Sequence, residues 1–185
     1  MVAFRLALMI CVFTGFASAI MAEERRDFYR NLPPILGPEN RTDSALFALD
    51  CDTAYVRKGD TTLVRPGAWI YFAHPSINSM IKVEGTLILQ GNDSQNVLLS
   101  GSVISENGMQ KPGLKMWGGI EVAEGGTLIV EHTSFFRAPT PITTFSDQIR
   151  IKKCYFEGSS GIILSDGSIL AMESKGQFFD KLARF

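Results

Sequence analysis

The stretch "IKVEGTLILQG" (residues 81–91) carries the pattern that decides the fold of this chain. Its second half returns almost unchanged as "GGTLIVEH" (residues 125–132), with Gly85 and Gly126 placed 41 positions apart (126 − 85). Before each glycine, apolar and charged residues alternate, which is the period of a half-buried β-strand. After each glycine, Thr-Leu-Ile follows. A strand–turn–strand unit that occurs twice in one chain predicts a repetitive β-structure.

The same pattern of short predicted strands and turns continues from Thr53 to Met172. Short runs rich in Val, Ile, Leu and Thr, such as "AWIYF" (68–72), alternate there with turn signals such as "RKGD" (57–60). No amphipathic helical period of useful length interrupts them. We therefore predict an all-β fold.

The spacing of three valines suggests how the strands are arranged. Val64, Val83 and Val122 each precede a glycine turn, with separations of 19 (83 − 64) and 39 positions (122 − 83). We interpret this as one turn of a coil followed by two, and assign "NVLLSG" (96–101) and a protruding insertion at 105–115 to the middle turn. Coils with such a period stack their successive turns as parallel sheets.

These motifs resemble those of the right-handed parallel β-helix proteins, which share the pectate-lyase-like fold. Pro66–Phe72 resembles a "pG-x-x-I-x-F" turn, Val83–Leu87 a "V-x-G-T-L" turn, and Trp117–Ile120 a "W-x-G-I" turn. The resemblance implies a single-stranded right-handed parallel β-helix (solenoid) of about five to six turns, of the non-catalytic type found on cell surfaces and among secreted proteins. It specifies the fold and leaves the activity open.

The first 19 residues have the features of an export signal. Arg5 precedes the apolar run Leu6–Phe16, and Ala17-Ser18-Ala19 fits a cleavage site. We expect cleavage near Ala19, with an uncleaved anchor as the alternative because Ile20–Ala22 prolongs the apolar run. The chain is therefore predicted to be secreted, periplasmic or cell-surface, with no membrane span in its mature form.

Three further parts follow the signal. Residues 20–52, which include Pro33-Pro34, are predicted to form an arm or linker and an N-terminal cap. Residues 53–172 form the predicted parallel β-helix. Residues 173–185 carry apolar side chains at helical spacing, which predicts an amphipathic helical cap over the last turn or a docking tail. These apolar residues are Phe178, Phe179, Leu182 and Phe185.

The charge balance limits the partners. The chain has 18 Lys+Arg and 19 Asp+Glu, for a net charge of −1. Removal of residues 1–19 takes away only Arg5, so the mature charge is −2 (17 − 19). This balance provides no basic field for nucleic acid and no polybasic membrane patch. The expected partner is an unknown protein or a cell-surface glycan.

Sequence motifs that would indicate a catalytic or metal-binding site are weak in this chain. Arg150-Ile151-Lys152 matches the "RIK" triplet of galacturonan hydrolases, but the Asp pair and the Gly-His-Gly of those enzymes are missing, so we interpret it as an ordinary alternating strand. His74 and His132 lack metal-ligand spacing and are predicted turn or rim residues. "GNDS" (91–94) and "SDGS" (165–168) offer oxygens to Ca²⁺ without the acidic spacing of a calcium loop. We predict no cofactor, no metal and no catalysis.

Aromatic residues and cysteines leave alternatives open. Trp69, Tyr71 and Phe72 are candidates for stacking on sugars, as are Trp117 and Phe135-Phe136. However, when the repeats are aligned by their glycines, Trp69 and Tyr71 take the inward positions of Leu87 and Leu89. Cys51 and Cys154 invite a disulfide in an exported chain. Since they lie near opposite ends of the repeat region, we favour two separately buried thiols.

Strand alternation predicts one exposed apolar surface. Leu87/Leu89 and Leu128/Val130 are assigned to the core, which places Ile70, Ile88 and Ile129 outward in one row with a gap that Leu98 or Leu99 would fill. A monomer seldom leaves such a stripe in water. We expect the arm at 28–36, through Phe28, Leu32, Ile35 and Leu36, to cover it, or a partner to bind there.

The sequence therefore predicts an exported structural or interaction module. Its candidate interaction surface comprises Ile70, Ile88, Ile129, Phe178, Phe179, Leu182 and Phe185. One alternative is a carbohydrate-binding or polysaccharide-processing β-helix, and another is a subunit of a larger surface assembly.

Overall fold

The computed structural model describes residues 31–37, 46–73, 78–104, 110–113, 115–164, 166–167, 169–171, 177–179 and 183–184. These residues form strands, turns and bends, with no helix among them. In chain order the strands are β1 (Ile35–Leu36), β2 (Leu46–Leu49), β3 (Thr53–Val56), β4 (Thr61–Val64), β5 (Trp69–Phe72), β6 (Met80–Val83), β7 (Thr86–Gln90), β8 (Val97–Ile104), β9 (Gln110–Gly113), β10 (Gly119–Val122), β11 (Thr127–Glu131), β12 (Thr133–Phe136), β13 (Ile142–Thr144), β14 (Ile149–Lys152), β15 (Cys154–Glu157), β16 (Gly161–Ile163), β17 (Ile169–Ala171), β18 (Gln177–Phe179) and β19 (Ala183–Arg184).

Successive strands step around three sheets and return to the first. Sheet I has the order β1-β4-β7-β11-β14-β19, sheet II the order β3-β6-β10-β13-β16-β17, and sheet III the order β2-β5-β8-β12-β15-β18. The first five strands of each sheet are parallel, and each pairs with the strand one turn away. The fold is all-β with three stacked parallel sheets, which is compatible with the predicted parallel β-helix.

One repeat of 41 positions corresponds to a single turn. Val83 pairs directly with Val122, so the prediction of a separate middle turn between them is wrong. The extra length is a hairpin, because β8 continues beyond sheet III and its second half pairs antiparallel with β9. In the preceding turn the partner of Val83 is Val56, while Val64 lies in sheet I. Residues 105–109, the first part of the predicted insertion at 105–115, lie outside the described residues.

The core is a column of inward side chains. Alternate residues in most parallel strands are buried, as in the pattern of half-buried and buried residues in β3, β5 and β7. Four aromatic rings stack along this column: the ring centroids of Phe72 and Trp117 are 5.3 Å apart, those of Trp117 and Phe135 6.5 Å, and those of Phe135 and Phe156 4.8 Å. The indole nitrogen of Trp117 donates a hydrogen bond to the carbonyl of Phe136 at 2.9 Å. Stacked rings one turn apart therefore fill much of the interior.

Gly85 allows a tight corner between sheets II and I. A Cβ at this position would stand 2.2 Å from the carbonyl oxygen of Arg57 and 2.4 Å from that of Asp60. The corner one turn earlier, which contains Arg57 and Asp60, protrudes beside Gly85. Only a residue without a side chain at position 85 lets the backbones of the two corners approach this closely. The glycine that marks the repeat is thus required by packing between turns.

The predicted orientation of β5 is wrong, whereas that of β7 and β11 is confirmed. Ile70 and Phe72 are buried, with 1% and 2% exposure, and Trp69 and Tyr71 face outward. The glycine of "PGAWIYF" lies at the corner from sheet I to sheet III, and the glycine of "EGTLILQ" at the corner from sheet II to sheet I. The two corners place the first inward residue at different distances from the glycine. Ile70 also belongs to sheet III, so it cannot share a row with Ile88 and Ile129.

Residues 31–36, the described part of the predicted arm, do not cover the face of sheet I. Leu36 is buried in the core, and the backbone nitrogen of Leu32 donates to the carbonyl of Tyr55 at 2.8 Å. Ile35 pairs edge to edge with Leu63. Residues 31–36 therefore add to the edge of the coil, and the predicted cover by Leu32, Ile35 and Leu36 is wrong. Phe28 and the predicted export signal lie outside the described residues.

The chain reverses direction at its C-terminal end. β17 pairs antiparallel with β16, β18 with β15, and β19 with β14. Residues 177–179 and 183–184 are therefore strands, and the predicted helix is wrong there because their backbone groups pair with sheet edges. For Phe178 and Phe179 the structure describes the backbone alone, and Leu182 and Phe185 lie outside the described residues.

Two further observations concern the cysteines and membrane-spanning helices. Cys51 and Cys154 are not joined by a disulfide; Cys154 is buried, as predicted, whereas Cys51 is only partly buried. Within the part of the chain that the structure describes, no helix has the length and apolar character needed to cross a membrane.

Candidate functional site

The outer face of sheet I presents a row of four aliphatic side chains, the aliphatic row. Ile35 pairs with Leu63, Leu63 with Ile88, and Ile88 with Ile129. Ile35 is 45% exposed, and the other three are half-buried. The next position in the same register is the exposed Arg150. The row has no gap, because Ile88 and Ile129 lie on adjacent turns.

Polar rows flank the aliphatic row on both sides. The row nearer the start of the strands consists of Thr61, Thr86 and Thr127, and the row nearer their ends consists of Gln90, Glu131 and Lys152. The hydroxyl of Thr127 donates to Oε1 of Gln148 at 2.7 Å. An apolar centre bordered by polar side chains is the layout of a protein interaction surface.

The charges beside the aliphatic row differ in how they are compensated. Nζ of Lys152 lies 2.8 Å from Oε1 of Glu131, and this hydrogen bond is the main reason that the pKa of Glu131 is below its usual range. Within the described residues, Arg150 has no ion-pair partner. The row therefore ends at the exposed Arg150, which forms no ion pair among the described residues but whose charge also contributes to lowering the pKa of Glu131.

A charged cluster occupies the corner between sheets I and III. Oδ1 of Asp93 lies 2.9 Å from Nζ of Lys153 and 3.7 Å from Nδ1 of His132. The Lys153 hydrogen bond is the main cause that lowers the pKa of Asp93. His132 forms a single-residue corner with φ +47°, as the predicted turn residue should. In the "GNDS" segment, Oδ1 of Asn92 accepts hydrogen bonds from the backbones of Ser94 and Gln95.

Sheet III carries aromatic side chains on its outer face. Trp69 and Tyr71 are half-buried there, and the indole nitrogen of Trp69 donates to Oγ of Ser100 at 3.0 Å. Phe136 and Tyr155 meet edge to face with centroids 6.3 Å apart. The other sugar-stacking candidates are core residues: Phe72, Trp117 and Phe135 are buried.

A groove of about 510 Å³ lies along the corner between sheets II and I. Its walls are the protruding corners Lys58–Thr61 and Ala123–Gly125, and its floor is Glu84–Thr86. The floor is recessed because the corner at Gly85 contains fewer residues than the two corners that form the walls. Charged residues of both signs line it.

The remaining predicted sites are ordinary structural positions. Ile151 is buried while Arg150 is exposed, so the "RIK" triplet alternates as predicted for a strand. Among the residues that the structure describes, no three or more His, Cys, Asp or Glu side chains are grouped closely enough to hold a metal ion. His74 lies outside them.

Sequence reasoning missed Leu63 and Ile35 as members of the aliphatic row. The signal for Leu63 was present, because Thr61-x-Leu63 repeats the spacing of Thr86-x-Ile88 and Thr127-x-Ile129. Ile35 has no such signal, since its place depends on the edge pairing with β4.

Comparison of the chain with protein-family models, with characterised proteins and with solved structures yields no match.

Proposed function

We propose that the protein is an exported right-handed parallel β-helix of the pectate-lyase-like type. It acts as a structural or interaction module at the cell envelope or outside the cell, without catalysis of its own. The support for the fold type is the agreement between the three sequence motifs and the stacked parallel sheets. The support for export is the character of residues 1–19.

The aliphatic row is the observation that carries the interaction role. It runs over four turns, about 14 Å at the spacing of stacked strands, and ends at Arg150. The partner that fits is a protein with an apolar patch beside a carboxylate, because Arg150 has no ion-pair partner within the described residues. A contact of this size is smaller than a stable dimer needs. The module therefore works within a larger surface assembly, where several weak contacts add up.

Site-specific photo-crosslinking tests this role. A photoreactive phenylalanine analogue at Ile88 is expected to yield a discrete protein adduct in the producing cell, and Arg150→Glu should abolish it. The matched control is the same analogue at Lys82, which lies outward on sheet II and pairs with Glu121 at 3.3 Å. Equal adducts from both positions, or an adduct indifferent to Arg150→Glu, would contradict the proposal.

The second candidate function is carbohydrate binding on sheet III. The observation that favours it is the outward orientation of Trp69 and Tyr71, since exposed aromatic faces stack on sugar rings. A glycan array and a depolymerisation screen, each with and without Ca²⁺, test it. Trp69→Ala and Tyr71→Ala should each remove binding, while Tyr55→Ala on sheet II should not. Depolymerisation by the parent protein would contradict the non-catalytic role.

A further inference from the structure

The triplet Asn92-Asp93-Ser94 has the pattern Asn-x-Ser, with a middle residue other than proline. Triplets of this kind accept N-linked glycans in exported proteins, where they lie in surface loops. Among the residues that the structure describes, no other triplet has this pattern. Asn40-Arg41-Thr42 also matches and lies outside them. Whether the folded coil has room for a glycan depends on where the Asn92 side chain lies.

The triplet lies on the surface, at the corner where the chain passes from β7 in sheet I to β8 in sheet III. Asn92, Asp93 and Ser94 are all exposed, and the side chain of Asp93 is 84% accessible to solvent. The backbone nitrogen of Asn92 donates to the carbonyl of Gln95 at 2.9 Å, which closes the corner as a turn. A group attached to this corner therefore extends into solvent without displacing a core residue.

Hydrogen bonds fix the orientation of the Asn92 carboxamide. Its Oδ1 accepts from the backbone nitrogens of Ser94 and Gln95 at 3.0 and 2.8 Å, and from the Ser94 hydroxyl at 2.8 Å. Three donors meet at this atom, so it is the oxygen, since the amide nitrogen only donates. The two branches of a planar carboxamide point apart, which leaves Nδ2 on the side away from the backbone. Within the described part of the chain, Nδ2 donates no hydrogen bond.

We propose that Asn92 is glycosylated, with its Nδ2 joined to the first sugar of an N-linked oligosaccharide. The co-reactant is an oligosaccharide carried on a lipid pyrophosphate. A bond forms between Nδ2 and the anomeric carbon of the first sugar, and the bond from that carbon to a phosphate oxygen breaks. Nδ2 loses one of its two protons, and the lipid pyrophosphate leaves with the electron pair. This inference rests on the export that is part of the proposed function, because such donors are used on the export route.

A glycan at this corner lies beside the aliphatic row. Asn92 is four residues beyond Ile88, about 13 Å along an extended strand, and β7 ends before it. The glycan therefore shields the charged corner that Asp93 and Lys153 occupy. It leaves Ile88 and Ile129 accessible to a protein partner, so glycosylation is compatible with the interaction role of sheet I.

Mass spectrometry of the protein from its producing cell tests the site. We expect the peptide that contains Asn92 to carry the mass of an oligosaccharide. Enzymatic release of the glycan in heavy-oxygen water should leave a labelled aspartate at that position. Ser94→Ala should lose the glycan, whereas Ser94→Thr, which retains a hydroxyl, should keep it. Asn92→Asp keeps the Oδ1 acceptor of the turn and removes Nδ2, so it should fold and also lack the glycan.

The N-terminal sequence of the same sample separates this inference from the export on which it rests. A chain that begins after Ala19 and carries an unmodified Asn92 overturns the glycosylation and leaves export in place. A chain that retains residues 1–19 inside the cell overturns both. A glycan that survives Ser94→Ala, or one attached only at Asn40, also overturns the proposal.

Discussion

Leu87 and Leu128 are direct neighbours across sheet I, paired in the parallel register of β7 and β11. The intervening turn contains the β8–β9 hairpin, which lengthens the chain between them without separating the two strands. Adjacent turns of a coil can thus differ greatly in length while their strands stay paired. For this reason Ile88 and Ile129 form an unbroken part of the aliphatic row.

Gly85→Ala should destabilise the protein by about 3 kcal/mol, because the new Cβ would overlap the carbonyl oxygens of Arg57 and Asp60. The measurement is urea unfolding, with a lower midpoint at an unchanged slope. Gly125→Ala is the control: it has φ +75° but no atom within 4 Å of the added Cβ. It should cost only about 1 kcal/mol for the left-handed backbone. Equal losses in the two variants would show that the close approach does not matter.

Phe135→Ala should cost about 3–5 kcal/mol, since Phe135 is fully buried between Trp117 and Phe156 in the aromatic stack. The adjacent Phe136 faces outward and is half-buried. Phe136→Ala should therefore cost only about 1 kcal/mol. Thermal unfolding of the two variants measures the difference, and a larger loss for Phe136→Ala would reverse the assignment of inner and outer faces.

Acid should weaken the fold through Glu131 and Asp93. Both have a pKa lowered mainly by a hydrogen bond from a lysine, Lys152 and Lys153 respectively. A carboxyl whose pKa is lower in the folded state stabilises the fold above its unfolded pKa, and this contribution is lost as the pH falls through the folded pKa. Stability should thus fall progressively as the pH drops below about 5.

Unfolding midpoints across that pH range provide the test. Lys152→Met with Lys153→Met should flatten the acid limb, because both carboxyls then lose their partners. Lys58→Met, at a different corner, should leave its shape unchanged. An acid limb that is the same in all three proteins would exclude these ion pairs as its source.

Cys154 should be almost inert in the native protein. Burial raises the pKa of its thiol to about 12. Only the thiolate reacts, so alkylation near pH 8 should be about a thousandfold slower than for an ordinary cysteine. Mass spectrometry of Cys51→Ser after brief iodoacetamide treatment measures this rate. Fast labelling of Cys154 in the folded variant would contradict its burial.

Truncation after Glu173 should cause aggregation. It removes β18 and β19, which pair antiparallel with β15 and β14. The exposed strand edges would then be open to pairing with other chains. Sedimentation velocity is the measurement. A soluble, monomeric truncated protein would instead support a docking role for residues 173–185.

Much of the fold could be predicted from local pattern. The all-β class, the glycine corners and the outward orientation of Ile88 and Ile129 follow from alternation over a few neighbouring residues. The candidate site was only partly predicted: Ile70 was assigned to the row in error, and Leu63 and Ile35 were missed.

Between Thr53 and Met172, the sequence by itself determined where short strands alternate with turns, because this depends on side-chain polarity and backbone freedom at adjacent positions. Only the tertiary structure decided which two sheets are joined by the corner at each glycine. This placement determines that Trp69 faces outward and Ile70 inward. It also decided that β17, β18 and β19 run against their neighbours. These choices depend on hydrogen bonds to strands one turn away, and an alternation pattern is the same whichever strand lies beside it.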